Sequence, residues 1–271
     1  MAQPKYNATV VERNTLSQDL MILKVKLDDP SFSFLPGQYT VLGLLPDAES
    51  VVPQKSEVTP LVDSPKKMIM RAYSIASSSS TEEHLEFYLS LVPNGTLTPR
   101  LFALKEGDRL YVSPKAVGLF TLERIPRDAH AILVGTGTGL APYMSILRSQ
   151  LVCGGDRKFA VLHGARHSWD LGYRAQLEAM AQNCKNFFYF PAISRPKEDP
   201  SWSGLCGYLQ DVLVSGVLEE QAGLPLDPTK VHVFLCGNPG MIQAAKELLE
   251  KRGYTPDKGR VSGTLHTEEY W

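Results

Sequence analysis

The chain changes its hydrophobic rhythm near the middle. Through residue 122, short runs rich in β-branched, aromatic and other apolar residues recur at 7–12, 21–25, 38–44, 68–74, 85–92 and 109–112, each bounded by turn residues. Six such strands predict an antiparallel β-barrel or sandwich. The segment 46–67 interrupts them with four prolines, several serines and aspartates and little periodicity, which predicts a long peripheral loop. Beyond Arg124 apolar strands alternate with helical segments: strands at 131–134, 159–163, 186–192 and 231–236, helices at 142–151, 171–182, 210–217 and 241–251. Strands joined by crossover helices make a doubly wound parallel α/β sheet, which holds ligands beyond the carboxyl ends of its strands. The rhythm therefore predicts two domains, 1–124 and 125–271, and 271 residues suffice for each to bury a core of its own.

Composition narrows the chemistry. Hydrophobic residues make up 43% and charged residues 21%, and no apolar run approaches the roughly 20 residues that a membrane span needs. The N-terminus, MAQPKYNATVVERN, has neither the basic start nor the apolar core of a secretory signal, so the expected compartment is the cytoplasm. Net charge is -1, with 13 basic against 14 acidic residues through Arg124 and 15 against 15 beyond it, which leaves no broad nucleic-acid footprint. Cys153, Cys184, Cys206 and Cys236 lack the tight spacings that hold zinc or an iron–sulfur cluster, and disulfides between them are not expected in a cytosolic chain. A redox cofactor here is therefore expected to be organic, a flavin or a nicotinamide.

The first candidate constellation is Arg71-Ala72-Tyr73-Ser74 at a strand end, followed by the strand L-E-F-Y-L with Tyr88 and then by N-G-T-L-T-P-R-L at 94–101. A flavin dinucleotide needs an aromatic face, a small donor near N5 and a cation for its pyrophosphate, and Tyr73, Ser74 and Arg71 are of those types. Thr98 before Pro99 reads as a helix N-cap, with a short helix running to about Leu104 and its amides turned to a phosphate. Taken alone, the four strand residues serve plain barrel packing equally well.

The second is Gly135-Thr136-Gly137-Thr138-Gly139-Leu140-Ala141-Pro142, directly after the strand A-I-L-V and opening a helix. Glycines let a backbone turn sharply and approach a pyrophosphate, although such a turn also occurs without a ligand. The ends of the next two strands carry Ala165-Arg166 and Ser194-Arg195 where an NADH site commonly has an acid. Two arginines there read either as a clamp for a 2′-phosphate or as two solvated surface residues. The last is Cys236-Gly237-Asn238-Pro239-Gly240-Met241, where Asn238 and Pro239 form a helix start and a strand-end cysteine needs no chemical role.

Together these segments resemble those of bacterial ferredoxin/flavodoxin–NADP reductases over nearly the whole chain. The resemblance implies an FAD-binding β-barrel followed by an NADP(H)-binding domain. It assigns FAD contacts to Arg71, Ala72, Tyr73, Ser74, Tyr88, Leu97, Thr98 and Thr136, and lays the closing Tyr270-Trp271 pair over the flavin nucleotide. NADP contacts fall to Gly135, Gly137, Thr138, Gly139, Ala165, Arg166, Ser194, Arg195, Tyr208, Gly237, Asn238 and Met241. Tyr73 and Ser74 would meet the isoalloxazine, and Cys236 would stand beside the hydride path as a positional group. Where relatives carry a further basic residue, this chain has Gly207-Tyr208, so that contact is either lost or replaced by stacking, with Tyr208 a candidate adenine platform and a weaker NADPH selectivity expected. The implied activity is hydride transfer from NADPH to flavin N5, with electrons passing singly to ferredoxin or flavodoxin and the enzyme acting as a monomer. A reductase component of an oxygenase shares the same core; a silent flavin-binding module would not need the glycine loop, paired arginines and C-G-N-P segment.

Overall fold

The computed structural model describes residues 5–53, 67–80 and 83–269. Six antiparallel strands form the first sheet: β1 (Ala8–Ser17), β2 (Leu20–Leu27), β3 (Tyr39–Leu44), β4 (Ile69–Ser74), β5 (Leu85–Ser90) and β6 (Arg109–Val112), in the order β4-β3-β6-β1-β2-β5. Period-two alternation explains its core. Leu85, Phe87 and Leu89 of β5 join Met21, Leu23 and Val25 of β2 inside, while Glu86 and Tyr88 turn to the opposite face and are buried there too.

The barrel does not close. β4 and β5 end the sheet without pairing, and Ala76 N–H donating to the Glu86 carbonyl at 2.8 Å bridges the gap just past β4. The expected helix at 98–104 is also a single turn, α1 (Thr98–Leu101), preceded by Leu97 with no side-chain cap. Thr98 cannot cap it because its hydroxyl serves Val92, accepting from that N–H at 3.0 Å and lying 3.2 Å from that carbonyl.

The second sheet is parallel throughout: β7 (His130–Thr136), β8 (Phe159–Ala165), β9 (Phe187–Ile193), β10 (Leu205–Cys206), β11 (Val231–Cys236) and β12 (Leu265–Glu268), ordered β10-β9-β8-β7-β11-β12. Ala131, Leu133 and Val161 face α2 (Ala141–Gln150) and α3 (Arg174–Asn183), while Ile132, Val134, Ala160 and Leu162 face α4 (Leu209–Leu213), α5 (Val217–Ala222) and α6 (Pro239–Glu250). Burial on both faces is why these strands read as unbroken apolar runs. The helix expected at 210–217 stops early: α4 ends at Leu213, and a separate α5 starts at Val217 after Gly216, which adopts φ 95°. An apolar layer of Leu20, Ile22, Tyr88, Phe120 and Leu122 with Tyr143, Met144 and Leu147 of α2 joins the two halves.

The cysteine expectation is corrected. Cys153 and Cys184 form a disulfide with Cα atoms 4.6 Å apart. α2 and α3 both end at the end of the sheet where β8 and β9 begin, so residues just beyond each helix meet although 31 positions separate them. Asn186 braces this corner, its side chain bonding Val152, Gly154 and Arg157 backbone at 2.8–3.0 Å.

Candidate active site

A cleft of about 1230 Å³ lies between the two sheets. One wall is the open margin of the barrel: Arg71, Ala72, Tyr73 and Ser74 of β4 and Tyr88 of β5, with Leu97 and Thr98 at α1. The unpaired β4 and β5 edges are thus the mouth of the site. The opposite wall comes from the carboxyl ends of the parallel strands: Thr136, Gly137, Thr138 and Gly139 after β7, Ala165 and Arg166 after β8, Ser194 after β9, Tyr208 before α4, and Gly237, Asn238 and Met241 after β11. β7 and β11 are neighbours whose onward connections leave in opposite directions, the switch point at which such sheets hold ligands.

On the barrel side, Arg71 is exposed, bonding the Met70 carbonyl at 2.8 Å and reaching Thr96 Oγ1 at 3.5 Å. A guanidinium has five donors, so this leaves capacity toward the cleft. Tyr73 is half-buried, and burial pushes its hydroxyl pKa far up, so the ring presents a neutral face. Ser74 is 6% exposed beneath it. Arg100 of α1 does not line the cleft: it is turned inward and donates to the Pro46 and Thr96 carbonyls, which ties α1 to the start of the 46–67 segment.

On the other wall, Gly137 has φ 54° and open space where a Cβ would stand, the conformation and clearance a closely approaching ligand requires. Gly139 packs on β11: a Cβ there would lie 2.5 Å from the Cys236 carbonyl oxygen. Gly135 stays behind the cleft against the Tyr143 ring, whose hydroxyl lies 2.9 Å from the carbonyls of both Val134 and Phe234. Asn238 caps α6, accepting from Met241 N–H at 3.2 Å, as the Asn-Pro pair predicts.

Besides Gly135, four expected site residues are not found in the lining. Cys236 is fully buried behind Gly139 and does not line the cleft. Arg195 is outside the lining, 3.5 Å from Glu198, although Arg195 N–H donates to the Arg166 carbonyl at 3.0 Å and sets the two arginines side by side. Tyr270 and Trp271 lie outside the described residues. The sequence reading missed Asp19, Tyr39, Gly164, Asp170, Glu268 and Glu269, which also line the cleft. Tyr39 arrives by pairing with Ser74, and Glu268 by pairing with Cys236, registers that no local pattern reveals.

The two walls fit two dinucleotides. The arrangement defines a two-domain oxidoreductase with a flavin on the barrel and a nicotinamide cofactor on the parallel sheet. A family model for the oxidoreductase FAD-binding domain matches residues 55–116, and one for the oxidoreductase NAD-binding domain matches 133–247. The flavodoxin/ferredoxin–NADP reductase of Escherichia coli (strain K12) is 33% identical over 214 residues, 79% of this chain and 78% of the relative. The ferredoxin–NADP reductase of Azotobacter vinelandii is 34% identical over 234 residues, 83% of this chain and 81% of the relative. A solved ferredoxin NADP+ reductase from Neisseria gonorrhoeae with bound FAD and NADP shares the fold, with a TM-score of 0.82, 22% identity and coverage of 99% of this chain and 100% of that one. The chain belongs to the flavodoxin/ferredoxin–NADP reductase family, and is an FAD-dependent oxidoreductase of NADP(H).

Proposed function

We propose that this chain passes a hydride from NADPH to FAD, and that the flavin then delivers electrons singly to a ferredoxin or flavodoxin, the carriers named for its relatives. The observation that carries the reading is the single cleft in which the R-A-Y-S strand end and the glycine loop face each other from different sheets. FAD supplies a two-electron acceptor able to release electrons one at a time. The chain supplies the alignment: Arg71 draws the flavin pyrophosphate, Tyr73 offers a stacking face, and Ser74 sits beside it as a donor. The Gly137–Thr138 backbone and the start of α6 receive the nicotinamide half, Arg166 receives the 2′-phosphate, and the exposed Tyr208 stacks on adenine. Cys236 acts by packing behind the glycine loop.

We set the domain boundary at 124/125. Tyr270 and Trp271 follow the cleft-lining Glu268 and Glu269, and we assign them to covering the FAD. Among the described residues no helix is long and apolar enough to cross a membrane. Our reading is a monomer acting in the cytoplasm, with neither nucleic acid nor membrane as a partner. The test is direct: determine the flavin extracted from the purified protein, then assay NADPH and NADH oxidation with ferredoxin, flavodoxin and a dye. FAD at one per chain and faster turnover with NADPH are expected. FMN as the only flavin, or a flavin that NADPH does not reduce, overturns the reading.

A further inference from the structure

A buried polar node links the two walls of the cleft from behind. Glu86 is 3% exposed, and its Oε1 accepts from Arg148 Nη1 at 2.7 Å and from the Tyr173 hydroxyl at 2.6 Å. Arg148 also donates to the Ala76 carbonyl and to Gln176 Oε1, both at 2.9 Å, and its guanidinium carbon lies 5.3 Å from the centre of the Tyr173 ring. Lys24 Nζ stands 4.0 Å from the second carboxylate oxygen of Glu86.

Glu86 and Tyr173 lie within a few residues of the cleft lining, and Arg148 is connected to it along a helix. Arg148 belongs to α2, the helix that the glycine loop opens, and α2 is a rigid link between them. Glu86 lies two positions before Tyr88 on the same face of β5, and Ala76 lies two positions after Ser74. Tyr173 meets the Tyr88 ring edge-on at 5.1 Å, and Gly172 lies so close that a Cβ there would overlap the Tyr88 hydroxyl. Tyr173 is the one non-glycine residue with positive φ among the described residues, at 59°. A tyrosine in that conformation persists only where its surroundings over-determine it.

A buried ion pair is weak evidence for stability, because desolvation offsets much of the attraction. What it does supply is a directional joint. We propose that Glu86, Arg148 and Tyr173 are positioning residues for hydride transfer, holding the glycine loop at a fixed separation from the Ser74–Tyr88 wall. This rests on the function proposed above, since a separation matters only if two cofactors react across the cleft.

The test uses the full-length, FAD-loaded protein and the variants Glu86→Gln, Arg148→Met, Arg148→Lys and Tyr173→Phe. Measured are FAD content, melting temperature, the NADP+ dissociation constant, the anaerobic rate of flavin reduction by NADPH, and the long-wavelength charge-transfer absorbance between nicotinamide and flavin. Glu86→Gln and Arg148→Met are expected to keep FAD and NADP+ binding while flavin reduction slows by about 10- to 100-fold, because a misplacement of order 1 Å costs that much. The charge-transfer band should weaken in parallel, and Arg148→Lys, which keeps the charge pair, should recover part of both. Reduction and band unchanged in folded variants overturn the proposal. So does a rate loss that merely follows FAD loss or melting temperature. If neither Glu86→Gln nor Arg148→Met folds, Tyr173→Phe decides: a slower rate with a weaker band supports positioning, and wild-type values of both overturn it. Failure of the underlying function would instead show in the wild-type protein, as a flavin that NADPH does not reduce.

Discussion

The backbone N–H of Asn238 donates to Thr136 Oγ1 at 2.7 Å, which ties the end of β11 to the end of β7 across the switch point of the parallel sheet. Gly237 stands between them with φ 122°, and a Cβ there would come within 2.6 Å of the Thr136 carbonyl oxygen. The two substitutions at this joint should therefore differ. Thr136→Val removes one acceptor and should weaken NADP+ by about tenfold, the worth of a hydrogen bond of roughly 1–1.5 kcal/mol, with FAD retained. Gly237→Ala must push the loops apart and should weaken NADP+ further. Titration of NADP+ against the flavin spectrum measures both, and wild-type affinity in each would show that the joint does not shape the site.

Legibility followed the range of the interactions that decide each element. The strand at 231–236 is readable to the residue because all six positions are buried in a parallel sheet. β12 is not, since Leu-His-Thr-Glu carries little strand signal and owes its state to pairing with β11, including His232 Nδ1 3.0 Å from His266 Nε2. Motif residues of the cleft are readable because turn geometry and phosphate chemistry restrict residue type. Which arginine does what is not: Arg71 and Arg100 look alike in sequence, yet one is exposed in the cleft and the other is spent on backbone carbonyls. The Cys153–Cys184 pairing likewise depends on where two helices end.

Acid stability should reflect the buried histidines. His163 is fully buried with Nδ1 2.9 Å from the Tyr189 hydroxyl, and burial pushes its pKa down to about 3 from 6.5. Burial, with the nearby His266 and Arg157, pushes His232 down to about 4. Between those values and 6.5 the unfolded chain binds more protons than the folded one, so stability rises with pH, is complete above the unfolded value and is lost as pH falls toward the folded ones. Melting temperatures should fall as pH is lowered from about 7 to about 5. The double variant His163→Leu, Tyr189→Phe removes the ring with its partner and should show a shallower decline. Identical slopes would remove His163 from the account.

The disulfide should support the fold without touching the reaction. Closing a loop across 31 positions is worth about 3–4 kcal/mol in the chain-entropy picture. It lies beyond the C-terminal end of α2, past Arg148, whose bonds to Glu86, Ala76 and Gln176 do not involve it. Dithiothreitol should therefore lower the melting temperature and leave the rate of flavin reduction by NADPH unchanged. Thiol titration of the denatured, unreduced protein should count the two thiols of Cys206 and Cys236, against four after reduction. Four thiols before reduction would contradict the pairing.

Cofactor selectivity should depend on an acid as much as on the arginines. Arg166 lines the cleft, whereas Arg195 Nη1 lies 3.5 Å from Glu198 Oε2, a carboxylate that also takes His167 Nε2 at 2.9 Å. His167 is in turn bonded to Asp170 at 3.1 Å and stacked on Trp169 at 4.5 Å, which holds Glu198 and its partners together beside the cleft-lining Asp170. A 2′-phosphate must compete with that carboxylate for Arg195 but not for Arg166. Arg166→Ala should consequently lower kcat/KM for NADPH by about 10- to 100-fold, the loss of one charge-assisted hydrogen bond, and leave NADH nearly unchanged. Arg195→Ala should cost less. Glu198→Gln removes the competitor, so it should tighten NADPH and leave NADH as it was, and adding Arg195→Ala should abolish that gain. Steady-state kinetics with both nucleotides on the four proteins and wild type decides the matter. A Glu198→Gln gain that survives loss of Arg195, or equal losses of NADH and NADPH in Arg166→Ala, would mean that these side chains shape the strand ends and do not read the phosphate.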